Sequence, residues 1–333
     1  MSETSLITAT VDFAREGVQI GVLRLPYSHD RSAYGHVPIP ILVAQRGRGP
    51  TLLLTGANHG DEYEGPVALM HLMHDQSALQ QLNGRLIVVP ALNFPAYLGA
   101  ARTSPIDRGN LNRLFPGKRN GTPTEMIAHY VDTVLMPLAD VAIDLHAGGS
   151  SLNYLPTLFV SRTSDARKQA EIDRLARAFA APRVLVMDML GEDRTIESAA
   201  ERSNVIFLTG EFGGAGTVSL EGLAVVRRGL RGVMGAMGLL PAEATPAASS
   251  RRLAVRGEAH YVFAPRPGIF EPAFRLGDEV KAGQLAGLIH DPYEPWRAPT
   301  EVMFAGGGLA LCIRTYARVE AGDCLGHLAS DID

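Results

Sequence analysis

Cysteine is nearly absent from this sequence of 333 residues. Cys312 and Cys324 are too few for a disulfide framework and are typical of a protein in a reducing compartment. No apolar run approaches the length of about 18 residues that a membrane-spanning helix needs. The first residues also lack the basic and then apolar segments of a signal peptide. These absences predict a soluble cytoplasmic protein.

Positive charge is not in excess either. The 31 Lys and Arg residues face 35 Asp and Glu residues, which gives a formal net charge of -4 and no basic run suited to a phosphate backbone. We therefore expect neither nucleic acid nor a membrane as a partner. The content of hydrophobic residues, 46%, is ordinary for a globular protein, and the length suits one large domain with a smaller one.

Short apolar runs alternate with amphipathic stretches through the first two-thirds of the chain. This pattern predicts an α/β domain over residues 1–240. Helices are expected on both faces of the sheet, because the strands are too apolar for one face to meet water. The predicted strands are 40–45, 51–56, 85–92, 141–146, 157–161, 183–187 and 205–211. The predicted helices are 65–79, 124–139, 165–180 and 219–238.

The composition changes near residue 240. Residues 241–252 are rich in Ala, Pro and Ser without periodicity, which predicts a linker. Beyond it, segments 274–291 and 317–330 echo each other weakly, since each has Gly-Asp followed by a Gly and a Leu. We therefore expect a small β-barrel or β-sandwich over residues 253–333.

Ionisable residues collect at the ends of two predicted strands. His59 and Glu62 follow one strand, and His146 ends another. Because the carboxyl ends of strands in an α/β sheet are the usual place for active sites, we expect these three side chains to meet. Two imidazoles and one carboxylate are a standard ligand set for catalytic zinc, with a fourth position left for water. Asp144 points to the same side of its strand as His146 and is placed to orient the imidazole.

The same residues admit less specific interpretations. A surface His-Glu pair is usually solvated, and Asp61 and Glu64 are also suited to shaping the turn or capping the next helix. The distant histidine at a strand end is what favours the metal site. Other histidines lie on predicted helices or in the β region and carry no predicted role: His71, His74, His129, His260, His290 and His327.

A metal hydrolase also needs a base that moves protons. Glu211 ends the strand 205–211 and precedes a glycine-rich loop that leaves space for substrate. This position suits a residue that takes a proton from water and returns it to the leaving amine. A surface acid beside a helix is the alternative interpretation.

The loop 102–117 carries candidates for holding the substrate. Arg113 is suited to a bidentate grip on a carboxylate, and Asn112 can hydrogen-bond beside it. Arg102 is a candidate for polarising the scissile carbonyl and stabilising its oxyanion. Arg108 competes for either task, and a solvated arginine is the alternative for it.

Five segments together resemble the succinylglutamate desuccinylase/aspartoacylase family, relatives of the zinc carboxypeptidases. The resemblance implies one Zn²⁺ per chain, bound by His59, Glu62 and His146. It also implies hydrolysis of a linear amide bond in a small N-acyl amino acid. The segments follow the order of the family: GANHGDEYEG (56–65), ALNFPA (91–96), GNLNRLFPG (109–117), DLHAGG (144–149) and GEFGG (210–214).

The resemblance assigns further roles. It makes Glu211 the general base and places the substrate carboxylate on Asn112 and Arg113. The family has its carbonyl-polarising arginine several residues before the Asn-Arg pair, where this chain has Pro105, so Arg102 fits only with a short insertion. Some relatives add a tyrosine from the C-terminal domain, for which the candidates are Tyr261, Tyr293 and Tyr316.

Longer strings resemble one branch of the family, which deacetylates Nα-acetyl-L-2,4-diaminobutyrate in ectoine degradation. They lie at 31–41, 92–117 and 122–131. This resemblance implies acetate and L-2,4-diaminobutyrate as products. Aspartoacylase or succinylglutamate desuccinylase activity is an alternative, and so is a zinc carboxypeptidase acting on peptides.

Residues 253–333 resemble the lipoyl/biotinyl barrel, whose carriers attach a cofactor to a lysine. In the segment 298–308, Phe304 stands where that lysine is expected. This disfavours the non-enzymatic alternative, a carrier or scaffold protein. The domain is expected to shape the pocket or to form an interface, and the sequence leaves open whether the chain is a monomer or a homo-oligomer.

Overall fold

The structure, a computed structural model, describes residues 4–187, 192–242 and 250–332. Its strands are β1 (Thr8–Ala9), β2 (Gly17–Pro26), β3 (His36–Arg46), β4 (Thr51–Gly56), β5 (Gly84–Val89), β6 (Val141–His146), β7 (Leu152–Tyr154), β8 (Thr157–Ser161), β9 (Arg183–Met187), β10 (Ile206–Glu211), β11 (Arg251–Ala254), β12 (Tyr261–Phe263), β13 (Gly268–Pro272), β14 (Glu279–Val280), β15 (Leu285–His290), β16 (Thr300–Met303), β17 (Gly308–Arg314), β18 (Arg318–Val319) and β19 (Cys324–Asp331). The α-helices are α1 (Glu64–His74), α2 (Gln76–Gln81), α3 (Phe94–Leu98), α4 (Pro123–Tyr130), α5 (Ala166–Phe179), α6 (Ile196–Arg202) and α7 (Leu220–Ala236). Within these ranges no helix is long and apolar enough to cross a membrane.

A large mixed sheet forms the centre of the molecule. Its strand order is β1-β2-β3-β5-β4-β6-β10-β8-β9-β11-β19-β17-β14, with β12 beside β19 and β7 beside β17. The strands β5, β4, β6 and β10 run parallel, so their carboxyl ends share one edge. The register sets Glu211 beside His146 and Gly56 beside Leu145. The predicted site residues therefore meet at this edge.

Helices cover both faces of the sheet, as predicted. Helices α1, α5 and α7 pack on one face, and α4 and α6 pack on the other. Along β4, Leu54 belongs to the first core and Leu53 to the second, because successive strand residues point to opposite faces. Both strands that lead to the metal residues, β4 and β6, are buried along their whole length. This explains their nearly continuous apolar sequences.

Most predicted elements are confirmed, and the exceptions have local causes. Four predicted strands have the bounds observed for β4, β6, β8 and β9. The helix predicted over 65–79 is divided at Asp75, whose carboxylate accepts a hydrogen bond from Ala78 and caps α2. The helix predicted over 124–139 changes to a π-helical turn and then a 3-10 turn that contains Pro137, a residue without a backbone donor. Strand β2 and helix α6 were not predicted.

The C-terminal part forms a second sheet with its own core. Its four antiparallel strands have the order β16-β15-β13-β18. Phe304 is 1% exposed and packs edge-on against Phe274 in this core. A buried aromatic ring thus lies where a carrier would need an accessible lysine.

The C-terminal strands also complete the large sheet. Strand β11 pairs with β9 and β19, and β17 pairs with β7. Because β11 begins at Arg251, it lies partly within the predicted linker 241–252, and linker residues 243–249 are outside the described part of the chain. The two predicted units therefore share one continuous sheet, and the boundary between them stays a prediction.

Candidate metal centre and active site

The three predicted ligands meet beyond the carboxyl ends of β4 and β6. Ligand atoms of His59, Glu62 and His146 lie within 4.8 Å of one another, and all three residues are buried. Nδ1 of His59 is 2.7 Å from Oε1 of Glu62, and Nδ1 of His146 is 2.8 Å from Oε2. Both imidazoles therefore present the same ring nitrogen to one carboxylate.

The remote nitrogen of each imidazole has a separate partner. His59 Nε2 is 3.2 Å from Oδ1 of Asn110, and His146 Nε2 is 2.7 Å from Oδ2 of Asp144. The side-chain amide of Asn58 donates to the same Asp144 oxygen at 2.9 Å. Such contacts fix the orientation of a ring and leave its facing nitrogen available to a metal. Asp144 was predicted for this task from its strand position, whereas Asn110 was not.

The pKa values of Glu62 and His146 are shifted in opposite directions by their neighbours. Burial alone would raise the pKa of the Glu62 carboxyl, but the imidazoles of His59 and His146 outweigh burial and lower this pKa. Burial alone would lower the pKa of His146, yet the Asp144 and Glu62 carboxylates raise it well above its ordinary value. Two imidazole nitrogens and a carboxylate that converge in this way fit Zn²⁺, which prefers nitrogen and oxygen ligands in that number.

Glu211 lies beside this centre with an unused oxygen. It is the register partner of His146 between β10 and β6. Its Oε2 is buried and has no hydrogen-bond partner among the described residues. Burial, and then the negative charge of Glu62, raise the pKa of Glu211 to about 8. A carboxyl group with a pKa close to neutrality is suited to accepting and returning a proton.

A cavity of about 290 Å³ lies against the centre. This volume is at the small end of the range for small-molecule sites. Its wall contains His59 and His146, the base candidate Glu211, three predicted substrate residues (Arg102, Asn112 and Arg113), strand residues from β8, β9 and β10 (Phe159, Ser161, Met187, Phe207, Thr209 and Gly210) and residues in and before α6 (Glu192, Thr195, Ile196 and Glu197).

Arg102 lies beside the candidate metal centre, although the family has its arginine at the position that Pro105 occupies in this chain. Its Nη1 is 3.4 Å from Nδ1 of His59 and 3.8 Å from Oε1 of Glu62. The backbone carbonyl of Ala101 accepts a hydrogen bond from Gly60 N at 3.0 Å, which joins this loop to the metal-binding turn. The guanidinium of Arg102 therefore lies beside the three predicted metal ligands.

The Asn-Arg pair lines the cavity from the other side. Asn112 Oδ1 accepts a hydrogen bond from Ile196 N at 2.9 Å, which leaves its NH₂ group for a ligand. The Arg113 side chain is 45% exposed, and its Nε is 3.9 Å from Oε2 of Glu192. Arg108, the competing candidate, is exposed and is not among the residues that line the cavity.

None of the three candidate tyrosines lines the cavity. Tyr293 is 89% exposed and Tyr316 is 52% exposed, while the ring of Tyr261 lies 5.4 Å from that of His327. Burial raises the pKa of another tyrosine, Tyr154, well above its ordinary value, and the charges of Cys312 and then Glu211 act in the same direction. Tyr154 belongs to the three-residue strand β7, too short to give a recognisable sequence pattern.

The fold and this site are those of a hydrolase with a candidate metal centre at the ends of parallel strands. Residues 48–237, more than half of the chain, match the model of the succinylglutamate desuccinylase/aspartoacylase catalytic domain. The chain belongs to the succinylglutamate desuccinylase/aspartoacylase family, whose members hydrolyse linear amide bonds.

Relatives with similar sequences and structures extend over the whole chain. The N-alpha-acetyl-L-2,4-diaminobutyric acid deacetylase of Halomonas elongata is 41% identical over 99% of this chain and 96% of its own length. The product-bound structure of the ectoine utilization protein EutE (DoeB) from Ruegeria pomeroyi has a TM-score of 0.94 and 38% identity, covering 98% of this chain and 100% of that one. A succinylglutamate desuccinylase structure from Silicibacter sp. TM1040 has the same TM-score and identity, covering 99% of this chain and 100% of that one.

Proposed function

We propose that this protein hydrolyses Nα-acetyl-L-2,4-diaminobutyrate to acetate and L-2,4-diaminobutyrate, with Zn²⁺ held by His59, Glu62 and His146. The observation that carries the proposal is one small cavity that joins the metal centre, the unpartnered oxygen of Glu211 and a carboxylate-binding pair. The name of the Halomonas elongata relative supports the substrate, and the name of the Ruegeria pomeroyi relative supports a role in ectoine degradation.

The metal site contributes charge at the scissile amide. When bound there, Zn²⁺ supplies a Lewis acid for the carbonyl oxygen and lowers the pKa of water. His59 and His146 direct Nδ1 at the metal because Asn110 and Asp144 hold the remote ring nitrogens. This support keeps both imidazoles in the orientation that binding requires.

Glu211 moves the proton. Its free Oε2 accepts a proton from the water molecule that attacks the amide carbon. As the carbon–nitrogen bond breaks, the same oxygen gives this proton to the leaving α-amine. One water molecule is consumed, and acetate and the free amino acid are formed. Arg102 donates hydrogen bonds to the carbonyl oxygen as negative charge develops on it.

Arg113 and Asn112 orient the substrate by its α-carboxylate. The guanidinium offers two parallel donors, and the NH₂ group of Asn112 adds a third. A single amino acid derivative fits a cavity of about 290 Å³, whereas a peptide substrate needs an open groove. We place the activity in the cytoplasm, since Cys312 and Cys324 are both free thiols.

The experiment that tests this function measures amine release from a panel of N-acyl amino acids. The panel contains Nα-acetyl-L-2,4-diaminobutyrate, N-acetylaspartate, N-succinylglutamate and a short peptide, each with enzyme as purified, after chelation and after zinc add-back. We expect release from the diaminobutyrate derivative that chelation stops and zinc restores. Cleavage of the peptide alone would show a carboxypeptidase, and release that is insensitive to the chelator would overturn the metal assignment.

A further inference from the structure

Apart from the two histidines of the metal centre, the described wall of the cavity carries more glutamates than arginines. Its two arginines, Arg102 and Arg113, are assigned to the carbonyl oxygen and to the α-carboxylate. Three glutamates also line it: Glu192, Glu197 and Glu211. Among the described residues of this wall, a substrate with a second carboxylate in its side chain would find no further arginine or lysine. A substrate with a positively charged side chain would find carboxylates on this wall.

Two of the three glutamates are already engaged. Glu211 is the proton-transfer group. Glu192 is neutralised, because its Oε1 accepts from Arg194 Nε at 2.8 Å and its Oε2 accepts from Arg194 Nη2 at 2.8 Å. Its Oε2 also lies 3.9 Å from Nε of Arg113. Glu197 is the acid that remains.

The surroundings of Glu197 leave its negative charge poorly compensated. Burial raises the pKa of its carboxyl, and the charge of Glu201 on the same helix acts in the same direction. Its hydrogen bond comes from the uncharged side chain of Ser161. Lys168 is the cation that acts on it, and this is the weakest of the influences on its pKa. A cation that entered the cavity would therefore be stabilised here.

Helix α6 fixes Glu197 relative to the group that holds the α-carboxylate. The helix begins at Ile196, whose N–H donates to Oδ1 of Asn112 at 2.9 Å. Glu197 is the next residue along the helix. Any carboxylate held by Asn112 and Arg113 is therefore at a defined distance from Glu197.

The strand register separates Glu211 from Ser161, the hydrogen-bond partner of Glu197. Glu211 pairs with Thr157 at the start of β8, and Ser161, the hydrogen-bond partner of Glu197, ends the same strand. Four residues of an extended strand span roughly 13 Å. Both glutamates line the same cavity of about 290 Å³, a volume that suits one short amino acid derivative.

We propose that Glu197 binds the side-chain ammonium of the substrate and so selects a short diamino acid over neutral and acidic ones. Three groups then recognise three parts of one molecule. The acetyl amide binds at the metal centre, the α-carboxylate binds to Arg113, and the terminal ammonium binds to Glu197. This inference rests on the proposed function and adds the residue that sets its specificity.

The test compares two substrates that differ in one group. Nα-acetyl-L-2-aminobutyrate has the carbon chain of the diaminobutyrate derivative but no ammonium. For Glu197→Gln we expect kcat/KM to fall ten- to a hundredfold with the diamino substrate and to stay within threefold with the neutral one, since a hydrogen-bonded charge pair is lost only in the first case. Glu201→Gln, a change on the same helix outside the cavity wall, should leave both values within threefold.

The outcomes separate this inference from the proposed function. If the wild-type enzyme releases amine from no member of the panel, the proposed function fails. If the wild-type enzyme hydrolyses the diamino substrate and Glu197→Gln keeps the full preference for it, only the role of Glu197 fails. Titration calorimetry with L-2,4-diaminobutyrate and L-2-aminobutyrate gives a readout independent of turnover, in which Glu197→Gln should weaken binding of the first ligand alone.

A second variant covers the case in which Glu197→Gln does not fold. Glu197→Asp keeps the negative charge, but its side chain is one methylene shorter, so the carboxylate lies closer to the helix backbone. We expect its preference to move toward Nα-acetyl-L-ornithine, whose ammonium is one methylene further out, by at least fivefold relative to the wild-type enzyme. An unchanged ratio between the two substrates would contradict the proposal.

Discussion

His146 and His327 are both buried, at 7% and 5% exposure, yet the pKa values of their imidazoles are shifted in opposite directions. At His146 the carboxylates of Asp144 and Glu62 overcome the effect of burial and raise the pKa well above its ordinary value. At His327 burial lowers the pKa to about 4, and no carboxylate in the described part of the chain opposes this shift. The comparison teaches that neighbouring carboxylates, rather than burial, decide the direction in which the pKa of a core histidine is shifted.

Aromatic rings surround His327 instead. The rings of Tyr154 and Tyr261 lie 5.2 Å and 5.4 Å from its imidazole, and its Nε2 is 3.1 Å from the Tyr154 hydroxyl. Tyr154 belongs to β7 and His327 to β19, so this contact joins the first part of the chain to the C-terminal part. His327 is a structural residue, uncharged near neutral pH.

The largest effect is expected from removing a metal-binding imidazole. His59→Ala and His146→Ala should lose zinc and activity together, because two ligands do not retain the ion at a catalytic site. His327→Gln serves as the matched change of a buried histidine and should keep both. The measurements are zinc content after dialysis and amine release. If His146→Ala kept a full complement of zinc, the contrast between the two histidines would be wrong.

Glu211→Gln should come next in size. It keeps the shape of the side chain but cannot accept a proton, so kcat should fall by about 10²–10⁴-fold while zinc content stays unchanged. Paired measurements of metal content and turnover distinguish it from the ligand variants. A kcat close to that of the wild-type enzyme would exclude Glu211 as the general base.

Arg102→Gln should lower kcat by about 10²–10³-fold with a smaller change in KM, because its hydrogen bonds strengthen only as the oxyanion forms. Arg108→Gln removes the same charge from the same loop, outside the cavity wall, and should change neither constant. Equal losses in the two variants would show that the charge of the loop, rather than the position of Arg102, matters.

The smallest expected effect concerns stability. The unfolded chain takes up a proton on His327 below about pH 6.5, whereas the folded chain resists it until about pH 4. Stability from this residue is therefore complete above pH 6.5 and is lost as the pH falls toward 4, by at most about 3 kcal/mol. Urea unfolding of the chelated protein at pH 7 and pH 4.5 should show a smaller loss for His327→Gln than for wild type. An equal loss in both proteins would contradict a buried neutral imidazole.

The sequence allowed much of the first part of the fold to be predicted, for a physical reason. Strands buried on both faces must be apolar along their whole length. The ends of apolar runs such as TLLLTG and VAIDLH therefore indicate the ends of the strands. For this reason His146 could be assigned to a strand end. The same reasoning gave a correct meeting place for His59 and Glu62. Their roles in binding metal stay predictions.

The remaining site residues depend on contacts that a linear pattern does not contain. Glu197 lies on a seven-residue helix without a recognisable repeat, and its position follows from the hydrogen bond that the preceding residue, Ile196, donates to Asn112. Asn110 was part of a recognised motif, but its contact with His59 is visible only in the structure, where its Oδ1 lies 3.2 Å from His59 Nε2. The positions of Glu197 and Asn110 depend on strand register and loop geometry. These features produce no periodic pattern in the sequence.

The pairing of β11 with β9 and of β17 with β7 has a consequence for how this chain can be shortened or recombined. A chain that stopped at residue 240 would leave β9 and β7 with open edges and unpaired backbone groups. Exposed edges recruit strands from other molecules, so such a fragment is expected to aggregate rather than to behave as a minimal enzyme. A shortened or recombined version of this chain therefore has to keep the C-terminal strands together with the catalytic part.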